Sequence, residues 1–181
     1  MDLRNAGAID KNFSLPKTVV RDGLAYYHAD AFDVYGVKRV DGVYRRMPYA
    51  DALAVSENVA LISSECAGGR VRFATDSPYV AIFVKYRSVA KVPNYSHTAT
   101  LGFDLYSGKR YVGSFVPPMD AADTFESVID IEDGQKLQEY TLNFPVCSEV
   151  SELYIGVKQD GKIEKAAPYT MQKPIVFYGS S

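Results

Sequence analysis

Arg70-Val71-Arg72-Phe73-Ala74-Thr75-Asp76-Ser77-Pro78-Tyr79-Val80-Ala81-Ile82-Phe83-Val84-Lys85-Tyr86 is the stretch that decides the fold class of this chain. Val71 and Phe73 alternate with Arg70 and Arg72 behind a Gly68-Gly69 turn, and Val80, Ile82, Val84 and Tyr86 repeat at the same two-residue spacing. Successive side chains of a strand point to opposite faces, so this period gives each segment an apolar face to bury. Asp76-Ser77-Pro78 between them predicts a chain reversal, and the pair reads as a β-hairpin.

The same pattern extends outward. Leu101, Phe103 and Leu105 alternate with Gly102, Asp104 and Tyr106, and Ser107-Gly108 leads into Tyr111, Val112 and Phe115, a second hairpin. Pro117-Pro118 ends that strand, because proline donates nothing to a ladder, and a loop follows to Thr124. Phe125 to Glu132 reads as a strand closed by Asp133-Gly134, and the alternations Tyr140, Leu142, Phe144 and Leu153, Ile155, Val157 add two more. Only Tyr49 to Ser56 suggests a helical turn. The expectation is an all-β fold, an antiparallel β-sandwich or jelly roll of about eight strands.

Composition limits the function. The 181 residues hold 20 Lys plus Arg against 22 Asp plus Glu, with 47% hydrophobic and 23% charged residues, a mixture that folds and suffices for one domain with a short extension. A net charge of −2 offers no field for a polyanion, so nucleic acid is not an expected partner. No apolar run reaches the ~18 residues of a bilayer span. Cys66 and Cys147 are expected to be unpaired thiols. The scattered Asp30, Asp33, Asp41, Asp120 and Asp123 lack the spacing of a calcium loop, and neither a metal nor a cofactor is expected. Met1-Asp2-Leu3-Arg4-Asn5 has no secretion-signal character, a property it would share with a processed segment, so the compartment stays open between the cell interior and export to the periplasm or beyond.

The last twenty residues differ. Asp160-Gly161 is a turn, Lys162 to Ala167 is polar and then small, and Pro168 and Pro174 bracket a connector. Ile175-Val176-Phe177-Tyr178 is a continuous apolar run, the signature of a strand buried on both faces as in the parallel sheet of an α/β domain. The expected division is a sandwich over 1–167, then a linker and the opening strand of a second domain over 168–181. Such a strand, lacking its sheet neighbours, is expected to self-associate or dock on the sandwich. Gly179-Ser180-Ser181 closes it, and a tight turn at a strand's carboxyl end is where many hydrolases expose a nucleophilic serine.

Two segments carry a resemblance. Gly102-Phe103-Asp104-Leu105-Tyr106 and Lys173-Pro174-Ile175-Val176-Phe177-Tyr178-Gly179-Ser180-Ser181 are similar to the SGNH, or GDSL-like, hydrolases and lipase-like esterases, in the group whose catalytic domain follows a β-sandwich bearing Gly-x-Asp-Leu-Tyr. The resemblance implies that Ser181 is the nucleophile, with Ser180 where better-known members carry Asp, and that the base comes from an Asp-x-x-His pair late in a catalytic domain of the same polypeptide. His28 and His97 do not fit that pair: Ala25 and Asn94 stand three residues before them. The chain alone is therefore expected to be inactive, an accessory domain that packs beside the catalytic domain and helps shape a cleft for acyl esters of carbohydrate.

Gly102, Asp104, Leu105 and Tyr106 are expected to be structural, Asp104 pairing with Arg70, Arg72, Arg87, Arg110 or a turn amide. Two other functions are open on the residues alone. One is a free-standing carbohydrate-binding module that stacks sugars on Tyr26, Tyr27, Tyr95 or Tyr111; the other is a structural or assembly module.

Overall fold

The structure, a computed structural model, describes residues 18–21, 23–89, 93–121, 123–131, 136–171 and 173. The Asp133-Gly134 turn, the Ile175-Val176-Phe177-Tyr178 run and Gly179-Ser180-Ser181 lie outside the described residues. In chain order the elements are β1 (Thr18–Arg21), β2 (Leu24–His28), β3 (Asp33–Tyr35), β4 (Lys38–Val40), β5 (Val43–Arg45), α1 (Tyr49–Val55), α2 (Glu57–Ser63), β6 (Arg70–Thr75), β7 (Tyr79–Ser88), α3 (His97–Leu101), β8 (Phe103–Ser107), β9 (Arg110–Phe115), β10 (Thr124–Asp130), β11 (Gln138–Asn143), β12 (Glu149–Lys158) and β13 (Ile163–Lys165).

They form an antiparallel β-sandwich, as the alternation predicts. One sheet has the order β1-β2-β12-β7-β10, and the other runs β6-β11-β8-β9 with β13 and β3 sharing the free side of β6. A small ribbon, β4-β5, joins neither ladder and packs against β12. The inward residues of the two layers make one core: Val80, Ile82, Val84, Leu153, Ile155 and Val157 from the first, Val71, Phe73, Leu105, Phe115 and Leu142 from the second. Phe103 of the second layer meets Phe125 of the first at 6.5 Å between ring centroids.

The hairpin expected of β6 and β7 does not form. β6 pairs with β11, β13 and β3, whereas β7 pairs with β10 and β12, so Asp76-Ser77-Pro78 carries the chain across the core from one layer to the other. Side-chain hydrogen bonds hold this arch. Thr75 Oγ1 accepts the Ser77 N–H at 3.1 Å, and the Ser77 hydroxyl donates to the Tyr79 carbonyl at 2.5 Å and accepts the Lys158 N–H at 3.0 Å. Both strands still turn their alternating apolar face to the same core, from opposite sides. The hairpin expected around Ser107-Gly108 forms as β8 and β9, with Gly108 at φ 58° in the turn.

Four further elements depart from expectation. The helical turn at Tyr49 is a complete helix, and α2 and α3 follow where none is expected, each started by a serine: the side chains of Ser56 and Ser96 accept the Val59 and Ala99 N–H groups. Lys162 to Ala167, read as polar and then small with no strand assigned, contains β13 against Phe73 to Thr75.

Candidate functional site

The Gly-x-Asp-Leu-Tyr segment begins where α3 ends. The last carbonyls of that short helix are all engaged, the first by the helix's own closing bond from its cap and the other three from outside it. Thr98 accepts the Gly102 N–H at 2.7 Å, Ala99 the Val146 N–H at 3.0 Å, Thr100 the Ser148 hydroxyl at 2.7 Å, and Leu101 the Tyr86 hydroxyl. Gly102 is required by the tightness of this junction: a Cβ there would lie 2.6 Å from the Thr98 carbonyl oxygen. From it β8 starts with a fixed register.

Phe103 and Leu105 point inward and are fully buried. Phe103 contacts the Phe144 ring at 5.5 Å, and Leu105 lies opposite Leu142. Asp104 and Tyr106 therefore emerge on the outer face of the second sheet. The partner of Asp104 is not an arginine or a turn amide as expected but the Ser114 hydroxyl on β9, which donates to it at 2.5 Å; Ser114 in turn meets the Tyr111 hydroxyl at 2.7 Å. Tyr106 packs edge-to-face on Tyr111, with 5.5 Å between centroids, where the β8-β9 register shifts. The motif thus ties core to outer face through one strand. Two of its residues anchor the layer, and two dress its surface.

Beside Tyr106 the outer face holds a polar trough of about 360 Å³ lined by Arg70, Arg72, Glu139, Thr141 and Asn143. The chain's exit forms one wall. After β13 the side of β6 is occupied by β3, so the chain leaves the edge and crosses the face. There Glu139 accepts the Ala167 N–H at 2.7 Å and Arg72 donates to the Ala167 carbonyl at 2.5 Å. Arg72 also pairs with Glu139 at 2.9 Å and stacks on Tyr169 at 4.3 Å, while Tyr169 meets Tyr35 at 4.9 Å. Residues 163–169 thus travel from the Thr75 end of β6 toward its Arg70 end, which α2 precedes.

Both histidines are held in place. His97 Nε2 donates to the Pro117 carbonyl at 2.8 Å. His28, buried, accepts the Asp30 N–H on Nδ1 at 3.2 Å, so its ring proton sits on Nε2 and points at Glu152, 3.1 Å away. Arg39 joins Glu152 at 2.6 Å, and the Tyr44 hydroxyl donates to Asp30 at 2.7 Å, closing a network that ties the β4-β5 ribbon to β12. Among the described residues no serine hydroxyl is bonded to either ring.

Burial pushes the His28 pKa below its ordinary 6.5, outweighing the Asp30 and Glu152 carboxylates that would raise it. A depressed native value means that neutral His28 stabilises the fold above the unfolded value and that this contribution is lost as pH falls through the native one. His28→Gln should therefore flatten the dependence of the urea midpoint on pH below neutrality; an unchanged slope would remove His28 from the linkage.

Cys66 and Cys147 are free and buried, as expected, and burial pushes the Cys66 thiol up to about 12. Among the described residues no group of three His, Cys, Asp or Glu is placed to hold a metal, and no helix is long and apolar enough to cross a membrane. Of the tyrosines considered for stacking, Tyr95 and Tyr111 are exposed and Tyr26 is buried. Sequence reasoning missed Ser114, the partner of Asp104, and Arg45, a buried cation in β5; nothing in their local sequence marks them.

The family model for the GxDLY N-terminus of SGNH-hydrolase-type esterases matches residues 24–163. The chain belongs to this family. The GxDLY match includes the segment whose geometry is described above, from the α3 junction to the Tyr106–Tyr111 pair. A solved structure described as a GDSL-like lipase from Bacteroides ovatus is similar at 26% identity and a TM-score of 0.71, over 80% of this chain and 43% of that one. A salicylyl-acyltransferase from a tetracycline biosynthetic pathway matches at 17% identity and a TM-score of 0.55, over 84% of this chain and 41% of that one, a likeness of fold alone. No curated protein matches. The GxDLY chain spans less than half the length of either solved relative.

Proposed function

We propose that this chain is the accessory N-terminal lobe of a serine esterase of SGNH type, packed beside the catalytic domain of the same polypeptide and forming part of the cleft for an acylated carbohydrate. The observation that carries this reading is the GxDLY match over 24–163, followed in sequence by Lys173-Pro174-Ile175-Val176-Phe177-Tyr178-Gly179-Ser180-Ser181. The division after residue 167 is part of the proposal. In the proposed reaction the Ser181 hydroxyl adds to the ester carbonyl while a histidine of the later domain takes its proton. That proton leaves with the sugar alcohol, and water then releases the acid.

The polar trough supports a hydroxyl-rich substrate. Its Arg, Glu, Thr and Asn side chains supply donors and acceptors beside the Tyr106 ring, and the exit segment that walls it leads on toward the following residues. The same trough favours a second reading, a free-standing carbohydrate-binding module, which requires glycan affinity in this chain alone. The polypeptide extended through the following domain should deacetylate an acetylated oligosaccharide, and the 181-residue chain should neither do so nor bind the sugar. Binding by the short chain, lost in Tyr106→Ala, with no hydrolysis by the long one would establish the module instead.

A further inference from the structure

The α1-α2 pair leaves an unusual amount of apolar surface uncovered. Of the fifteen large hydrophobic side chains exposed among the described residues, six fall between Met47 and Ile62, with Leu61 70% and Val55 63% exposed. Tyr49, Leu53 and Leu61 line an open groove of about 1020 Å³ between these helices and the ends of β7 and β12. Scattered single hydrophobics need no explanation, whereas a cluster around a groove marks an interaction surface.

Arg45 lines the same groove. It is 8% exposed, its Nε is buried with no hydrogen-bond partner, and its guanidinium lies 5.3 Å from the Tyr49 ring centroid. A guanidinium with a buried, unpaired Nε and no carboxylate on its fork is an incomplete interaction, since Arg offers a planar fork of donors suited to one. The acidic residues around it do not supply that partner: Asp41 and Glu57 are exposed, and Glu149 lies 3.8 Å from Arg87.

Resting on the accessory-lobe reading, we propose that the α1-α2 face is where the catalytic domain of the same polypeptide docks, with a carboxylate of that domain received by Arg45. Two observations select this occupant. Residues 163–169 run toward the Arg70 end of β6, the strand end that residues 64–69 join to α2, so the described exit heads for the end of the sheet from which these helices branch. Both solved relatives are more than twice as long as the part this chain covers, which leaves a partner of domain size to fill a groove of this volume. An apolar rim around one largely buried arginine is also an arrangement in which a single charge pair fixes register.

Hydrogen exchange tests it, comparing the extended polypeptide with the 181-residue chain. Amides of residues 49–63 should exchange at least about tenfold more slowly in the longer protein. Leu61→Asp, at an exposed position, should abolish that slowing without altering the melting temperature of the 181-residue chain, and Arg45→Gln should weaken it. An active, compact two-domain esterase with no slowing at 49–63 would overturn the docking surface and leave the accessory-lobe reading intact. Slowing in the 181-residue chain itself as its concentration rises, with a dimer in sedimentation, would assign the face to a second copy and overturn the proposal. Absence of any α/β domain after Ser181 would overturn both.

Discussion

Ser181→Ala in the polypeptide extended through the following domain is expected to lower kcat for an activated acetate ester by at least about 10⁴-fold, the scale on which loss of a nucleophile leaves only binding and oxyanion stabilisation. The fall should come with little change in KM, because the serine hydroxyl adds covalent chemistry rather than ground-state affinity. The 181-residue chain should show no serine-dependent turnover in either version. His97 donates its Nε2–H to a backbone carbonyl, which leaves its lone pair on Nδ1 with no serine hydroxyl bonded to it among the described residues, and His28 has Nδ1 occupied by the Asp30 amide and Nε2 directed at Glu152. A base must have a free lone pair within hydrogen-bond reach of the proton it takes. Serine-dependent hydrolysis by the short chain would show that the base lies within it and would displace the proposed division of labour.

Phe103→Ala is expected to destabilise the sandwich by about 3–5 kcal/mol, which for a domain of this size lowers Tm by roughly 10 °C. Phe103 is fully buried, lies opposite Phe115 across β8-β9, and contacts Phe125 in one direction and Phe144 in the other. Those contacts join both layers and the segment after β11, so truncation opens a cavity that no single neighbour can fill. Tyr106→Ala, by contrast, removes a half-buried ring from the outer face and should cost far less. Equal losses for the two variants would contradict the assignment of one motif position to the core and the other to the surface.

Alternation was a sound guide wherever a strand had four or more residues with one buried face. Val80, Ile82 and Val84, Phe103 and Leu105, Tyr140 and Leu142, and Leu153, Ile155 and Val157 all point inward. What it could not supply was the layer to which each strand belongs. Asp76-Ser77-Pro78 has the composition of a hairpin turn, and only the pairing of β6 with β11 and of β7 with β12, formed over long sequence separations, makes it an arch. β3, β4, β5 and β13 have three residues each, too few for a period to register.

The missed helices have a different cause. Leu61 and Ile62 of α2 face solvent, so the stripe that marks an amphipathic helix is absent, and the capping serines were the only local signal. At the site, Gly102-Phe103-Asp104-Leu105-Tyr106 was legible as a unit and its facing followed from alternation. The Ser114 partner of Asp104 was not, since cross-strand neighbours depend on register.

Arg72 has a mechanical consequence. A pull on the chain beyond Tyr169 is first borne by the guanidinium stack and the Ala167 hydrogen bonds, which spread it to β6 and β11 instead of peeling β13 from its edge. Load on the chain's exit is thereby taken up in the middle of a sheet rather than at its margin.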